Sequence, residues 1–382
     1  MKEMTSRERV ELALARKEPD RVPIDLWGSA SRITNELYFK VAERLGYKDH
    51  PPKIRPGKTA EYVDYRVSDF VGADFRHTVA RSPKNFKAYK DERGIIYDEW
   101  GIGYRMIDQY AQIAYHPLAN AVIADIDAYK GPCVEDEGRL EGLAGEARDW
   151  HDNTDYYITA TAPCSGLALD YCFYLRGQEQ FFVDMYTDPA FAHKLLDKVS
   201  DIIARLYVYY ITPVAGYIGW VEYESDYGMQ TNAWLPREKY REFIKKPNAK
   251  VFDAVRNVAP HAKVFLHSCG AIRELIPELI DNGIEILNSL QPGARGMNSF
   301  EIKKEFGRDL IFHGGVDIQG PICGTVEEAI TEAKTRIQAF APGGGYVFAS
   351  TNHFQPDTPV ENFFAVYKTA IEYGRYPIAD GP

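Results

Sequence analysis

From about residue 155 onward the chain alternates apolar strand candidates with amphipathic helix candidates, and few architectures accommodate that rhythm. The strand candidates fall at 156–162, 216–223, 263–268, 284–290, 309–314 and 345–350, and the helices at about 189–211, 236–258, 271–281, 299–306 and 325–340. Several helix starts are explicit. Asp188-Pro189 supplies an N-cap followed by proline at the first helical position, and Thr325-Val326-Glu327-Glu328 is a capping box. Gly283 closes the helix before Ile284. Strands separated by whole helices cannot pair as hairpins, so the sheet must be parallel with right-handed crossovers. Strand candidates at 22–27 and 72–79 bring the number to eight. Eight units, with no Gly-x-Gly-x-x-Gly turn after the first strand, favour a closed (β/α)8 TIM barrel over an open doubly wound sheet.

The N-terminal third is less regular. Thr5-Ser6-Arg7-Glu8 starts a first helix, ended by Lys17 to Pro19. Pro23 suits a strand start or edge. Residues 28–150 carry helix-like patches near 36–46 and 59–70, and residues 94–106 read as a hairpin inserted between main elements. The 382 residues are therefore expected to form a single barrel domain, 1–382, with 28–150 as its irregular portion.

The formal net charge of −10 argues against a nucleic-acid partner. Five scattered cysteines are no disulfide framework, the charged N-terminus has no apolar signal region, and no apolar run is long enough for a membrane span. A cytoplasmic protein that binds no membrane is the expectation. The 26 Tyr, 19 Phe and 5 Trp exceed what this class requires; most should be core, and some should line a substrate pocket. Tyr207, Tyr209 and Tyr210 read as core or as a subunit contact, which leaves a homodimer open.

In a barrel, chemistry sits at the C-terminal ends of the strands. The sharpest pattern is Val264-Phe265-Leu266-His267-Ser268-Cys269-Gly270. Residues two apart on a strand face the same way, so His267 and Cys269 present imidazole and thiolate to one point, a pair that suits zinc. A small buried Cys beside a satisfied His is the bland alternative. A third ligand is required. His353, at the end of the last strand, is assigned that place; Glu222, Asp226 and Cys323 compete for it, as does Glu224 by its position. Glu222 and Asp226 are otherwise assigned to catalysis as contacts to polar groups of the substrate. His313 and Asp317 are candidate partners for orienting a ligand. Pro163-Cys164-Ser165-Gly166 lacks the nucleophile-elbow pattern and reads as a tight pocket-lining turn. Gly343-Gly344-Gly345 reads as a helix-to-strand turn.

Several stretches together resemble the uroporphyrinogen decarboxylase superfamily. They are Glu18-Pro19-Asp20-Arg21-Val22-Pro23, Leu235-Pro236-Arg237-Glu238-Lys239-Tyr240, His267-Ser268-Cys269-Gly270, Gly314-Gly315-Val316-Asp317, Gly343-Gly344-Gly345-Tyr346-Val347 and Pro356-Asp357-Thr358-Pro359-Val360-Glu361-Asn362. The resemblance implies a (β/α)8 barrel. Its true decarboxylases need no metal and hold substrate propionates with an Arg-Gln-Ala-Gly-Arg run, where this chain has Asp25-Leu26-Trp27-Gly28-Ser29-Ala30-Ser31-Arg32. His267-x-Cys269-Gly270 is instead similar to the zinc motif of the corrinoid-dependent methyltransferase branch. That likeness implies zinc and a small methylated substrate, first an aromatic methyl ether. It also implies cobalamin carried by a separate corrinoid protein, because no Asp-x-His-x-x-Gly cobalamin motif is present. Members that methylate coenzyme M carry a second Cys where this chain has Asn352-His353, which favours a demethylating role. A metal-free decarboxylase, with Asp226 or Asp25 stabilising a protonated intermediate, and a non-catalytic module that docks a corrinoid protein are the alternatives.

Overall fold

A computed structural model describes residues 3–54, 58–107 and 110–378. The ends of the expected domain, 1–2 and 379–382, lie outside the described residues. Seven parallel strands form one sheet in sequential order. They are β1 (Phe75–Thr78), β6 (Tyr157–Ala160), β7 (Trp220–Glu224), β8 (Lys263–Ser268), β9 (Ile286–Ser289), β10 (Ile311–Val316) and β11 (Tyr346–Ser350), all parallel-paired with their neighbours. β2 (Tyr89–Lys90), β3 (Ile96–Tyr97), β4 (Gly103–Ile107) and β5 (Tyr110–Tyr115) form a separate antiparallel sheet. The inserted hairpin predicted at 94–106 is thus the middle of a four-stranded excursion.

The eighth barrel position is filled by an irregular segment rather than a full strand. Phe348 donates to the Pro23 carbonyl at 2.8 Å, Asp25 donates to the Phe348 carbonyl at 2.9 Å, and Asp74 donates to the Ile24 carbonyl at 2.8 Å. Residues 23–25 therefore join β11 to the start of β1 and close the ring. Pro23 has no N–H to give, so only an isolated bridge forms there, Ile24 with Phe348. The result is a (β/α)8 TIM barrel.

The helices begin where their caps predict. Thr5 caps Ser6–Leu14, Asp188 caps Pro189–Ile211, and Thr325 caps Val326–Phe340 through a capping box. The helix expected at 236–258 is interrupted instead. Arg237–Lys239 leads into a π-turn at Tyr240–Ile244, and regular helix resumes over Lys245–Arg256. Pro247 lacks the N–H that would bond to Phe243 and crowds its carbonyl, so the turn before it widens.

Inside the barrel, inward-facing side chains from successive strands stack in layers. The floor is apolar: Phe75, Trp220, Phe265, Ile286, Ile311 and Val347 cluster with Val10 and Leu14 of the first helix, which plugs the N-terminal end. Two residues further along five of these strands, toward the C-terminal mouth, the layer turns polar, with His77, Glu222, His267, Asn288 and His313; on β11 the corresponding residue is Ala349. Most aromatics pack in the core, including Tyr207 and Tyr210, which are fully buried. No helix among the described residues is long and apolar enough to cross a membrane.

Candidate metal centre and the cavity beside it

The strand period delivers His267 and Cys269 to one side as expected. Cys269 Sγ lies 3.3 Å from His267 Nε2. The third donor comes from the neighbouring loop. Asp226 Oδ1 is 3.6 Å from His267 Nε2, and among the described residues Asp226, His267 and Cys269 form a group whose ligand atoms all lie within 4.8 Å of one another. Zinc with bonds of about 2.0–2.3 Å to N, O and S requires tetrahedral ligand–ligand edges of roughly 3.3–3.7 Å. The two measured edges match that size, and the nitrogen, sulfur and oxygen donors suit this ion. Asp226 is half exposed and Cys269 partly so, which leaves the group open toward the mouth.

Asp226 reaches this point because the β7–β8 pairing continues past the strand ends. Ser225 donates to the His267 carbonyl at 3.0 Å, Tyr227 to Ser268 Oγ at 3.0 Å, and Ala271 to the Met229 carbonyl at 2.7 Å. Cys269 N–H donates to Asp226 Oδ1 at 2.7 Å. Gly270 makes the approach feasible. It sits at φ +86°, and a Cβ there would lie 2.4 Å from the Gly228 carbonyl carbon. The glycine of the His-x-Cys-Gly motif thus serves the crossing of two loops.

The sequence placed His353 third and Asp226 at the substrate; the structure brings Asp226 to the pair and leaves His353 in the cavity wall. There His353 Nδ1 lies 3.0 Å from the Ala30 carbonyl. Asn352, next to His353, donates to Cys269 Sγ at 3.5 Å. Cys323 is outside the group, with its thiol directed to the Ile318 carbonyl at 3.6 Å. Glu222, expected at the substrate, instead lies in the polar layer beneath the cavity. Its Oε2 accepts from Ser29 N–H at 2.6 Å and its Oε1 from Trp220 Nε1 at 3.1 Å.

That polar layer is a continuous relay. His267 Nδ1 hydrogen-bonds Asn288 Oδ1, and Asn288 Nδ2 reaches His313 Nδ1 at 2.9 Å. His313 Nε2 meets Asp25 Oδ2 at 2.9 Å, and Asp25 Oδ1 meets His77 Nε2 at 2.8 Å. His77 Nδ1 then bonds Thr159 Oγ1 at 2.6 Å, with Glu222 Oε1 3.6 Å away. Asp25 offers only lone pairs, so His313 donates to it through Nε2–H and accepts through Nδ1. Asn288 must then donate to His313 and accept from His267 Nδ1–H. This polarity frees the Nε2 lone pair of His267 for a metal, the arrangement by which outer groups fix a ligating imidazole. His313, one of the two candidates for orienting a ligand, is connected to His267 through Asn288. The other candidate, Asp317, accepts from Gln319 N–H through its carboxylate.

Charge and burial compete throughout the relay. Burial opposes ionisation of Asp25, but the neighbouring His77 and His313 hold its carboxyl far below the usual range. Burial alone would depress His77; Asp25 outweighs it and lifts the imidazole to about 9. Glu222 is likewise kept ionised against its burial by His77. Burial opposes charging of His267, but the neighbouring Cys269 and Asp226, with no ion between them, outweigh it and raise the imidazole to about 10.

The mouth holds a cavity of about 220 Å³, lined by Asp226 and His267 together with Ser29, Ser165, Asp170, Tyr174, Glu224 and His353. The turn Pro163-Cys164-Ser165-Gly166 does line it, through Ser165 and Gly166. The expected aromatic wall is absent: among the described residues Tyr174 is the one Tyr, Phe or Trp in the lining. Asn288, His77 and Asp170 were missed in sequence. The polar pair Asn288-Ser289 inside an apolar strand, and His77 two residues after Phe75, were the available signals for the first two.

The model of the family described as "Uroporphyrinogen decarboxylase (URO-D)" matches residues 112–373, more than half of the chain. The chain belongs to the uroporphyrinogen decarboxylase family. Two curated members of this family, the uroporphyrinogen decarboxylases of Aliarcobacter butzleri and of Sulfurovum sp., are each 25% identical over 182 residues, 47% of this chain and 47% of theirs. The chain spans about half the length of the curated relatives it matches. A solved structure described as a methyltransferase from Methanosarcina mazei superposes with a TM-score of 0.65 at 18% identity, covering 97% of this chain and 99% of that one. It shares the fold.

Proposed function

We propose that this family member transfers a methyl group from a small methylated donor, an ether oxygen first among them, to cob(I)alamin carried by a separate corrinoid protein. The observation that carries the reading is the convergence of Asp226, His267 and Cys269 at the barrel mouth, with Asn288 orienting His267. These three residues would hold zinc, which would supply a Lewis acid for the donor heteroatom, worth several kcal/mol of barrier. The fold shared with the Methanosarcina mazei methyltransferase agrees with this reading. A cavity of about 220 Å³ suits a small donor, being below the roughly 300–1,000 Å³ of drug-sized sites. Ser29, Ser165 and Glu224 would bind its polar substituents, and Tyr174 would pack against a ring. A decarboxylase acting on a polycarboxylate finds no support in the lining, which offers three carboxyls and, among the described residues, no Lys or Arg.

The test is zinc content combined with a cob(I)alamin methylation screen across methoxy aromatics, methylamines and methyl thiols. We expect about one zinc per chain. We also expect His267→Ala to lose both the zinc and at least ~10³-fold of methyl transfer. A zinc-free protein whose methyl transfer is indifferent to that substitution would sink the proposal.

A further inference from the structure

Asp170 lies in the cavity wall with Asp226 and His267, but takes no part in the candidate metal group. It sits in the first turn of the helix Ala168–Arg176, which follows the turn after β6, and its Oδ2 accepts the Leu167 N–H at 3.0 Å. Gly166 makes room for it. At φ +133°, a Cβ on residue 166 would stand 2.6 Å from Asp170 Cβ and 2.9 Å from Oδ2. The carboxyl is therefore built into the wall rather than swinging from it. The residue is 8% exposed, and among the described residues no Lys or Arg lines the cavity to hold it ionised. Burial, with the charge of Asp226 added and Ser225 tempering the effect, raises its pKa to about 7. A carboxyl in that range keeps an O–H to give near neutral pH, as a general acid requires.

We propose that Asp170 donates a proton to the donor heteroatom as its bond to the methyl carbon breaks. The inference rests on the methyl-transfer reading above. The electron pair of the carbon–heteroatom bond stays on the heteroatom, while the cobalt(I) pair forms the cobalt–carbon bond and the cobalt becomes cobalt(III). The proton passes from Asp170 to the heteroatom, and water reprotonates the carboxylate once the product leaves. A methyl donor R–X–CH3, cobalt(I) and one proton thus become R–XH and methylcobalt(III), with no further oxidant or reductant. Leaving as neutral R–XH also spares the product the repulsion of Glu224, which an alkoxide or phenolate would meet in this acidic wall.

The test compares the wild-type chain with Asp170→Asn on methoxybenzenes whose ring nitro substituents grade the leaving group from basic to weakly basic. Asparagine keeps an oxygen for the Leu167 N–H and loses the acid. For unsubstituted methoxybenzene the variant should slow cob(I)alamin methylation by ~10²-fold. For the nitro-substituted donors, whose phenolates leave unaided, the loss should shrink to under ~3-fold, because general-acid help scales with the basicity of the leaving group. A loss of equal size across the series, or none, overturns the role of Asp170. Difference infrared spectra at about pH 6 give a second readout independent of turnover, since a carboxyl raised to near 7 is protonated there. The wild type should show the carbonyl stretch of a protonated carboxyl that Asp170→Asn lacks, and absence of that band in the wild type also overturns the proposal. Failure of the wild type with every methyl donor would defeat the methyl-transfer reading itself; an active wild type with unaltered leaving-group dependence in the variant would defeat this inference alone.

Discussion

Two layers of side chains, only two residues apart along the same strands, are held by different physics. The floor of Phe75, Trp220, Phe265, Ile286, Ile311 and Val347 is stabilised by removal of apolar surface from water, which has no preferred direction. The layer above it, with Asp25, His77, Glu222, His267, Asn288 and His313, depends on donors and acceptors each facing one partner. The floor should tolerate changes of shape that conserve volume. The polar layer should tolerate almost none, because a buried polar group that loses its partner keeps the cost of its desolvation.

The largest expected effect in this contrast is at Asp25, whose carboxylate joins His313 to His77. Asp25→Ala should destabilise the fold by about 3–5 kcal/mol, read as a drop in the urea midpoint, because two buried imidazoles lose their common acceptor. A loss below about 1 kcal/mol would mean the layer is no more directional than the floor.

Next comes pH. His77 is raised to about 9 in the folded chain against an ordinary value near 6.5, so the folded state binds the proton more tightly. Its contribution to stability is fully present below about pH 6.5 and is lost as pH rises through about 9. The melting temperature of the wild type should therefore fall between about pH 7 and 10 by more than that of His77→Gln. Parallel curves for the two proteins would remove the charged pair from the account.

A smaller effect is expected at Asn288, the link between relay and metal group. Asn288→Ala should weaken zinc binding by about 10–100-fold in competition with a chromophoric chelator, while leaving the three donors in place. Unchanged affinity would show that His267 needs no orienting partner. The smallest change belongs to the floor, where Ile286→Val should cost about 0.5–1.5 kcal/mol and leave zinc affinity untouched.

The same contrast explains what could be read before the fold was known. Apolar periodicity and helix caps located the strands from β6 to β11 and one helix or more between each pair, because both signals act within a few residues, but not the helices Ala168–Arg176 and Gln178–Thr187 that precede Pro189–Ile211. At 22–27 the same signals indicated a strand with Pro23 at its start or edge, whereas the folded chain forms only an isolated bridge there. The antiparallel excursion was legible only in its middle, where Gly94 and Gly101 punctuate short β pieces; the flanking β2 and β5 carry weaker signals. In the site, His267 and Cys269 came out of a single strand's alternation. His353 and Asp226 were indistinguishable by that means, since both end a strand with a polar group.

A parallel barrel of eight units and a nitrogen–sulfur pair at one strand end were thus legible in the chain alone, because backbone geometry places residues i and i+2 on one side. It took the folded chain to bring Asp226, rather than His353, beside His267 and Cys269, through continued β7–β8 pairing and the approach of Gly228 to Gly270. Tertiary structure also decided that Asn288, His313, Asp25 and His77 stand behind His267, and that Asp170 is buried beside the group. Each of these depends on which strand ends lie next to which once the ring closes between β11 and β1. Contacts between residues up to 288 positions apart leave no periodic trace in the chain that makes them.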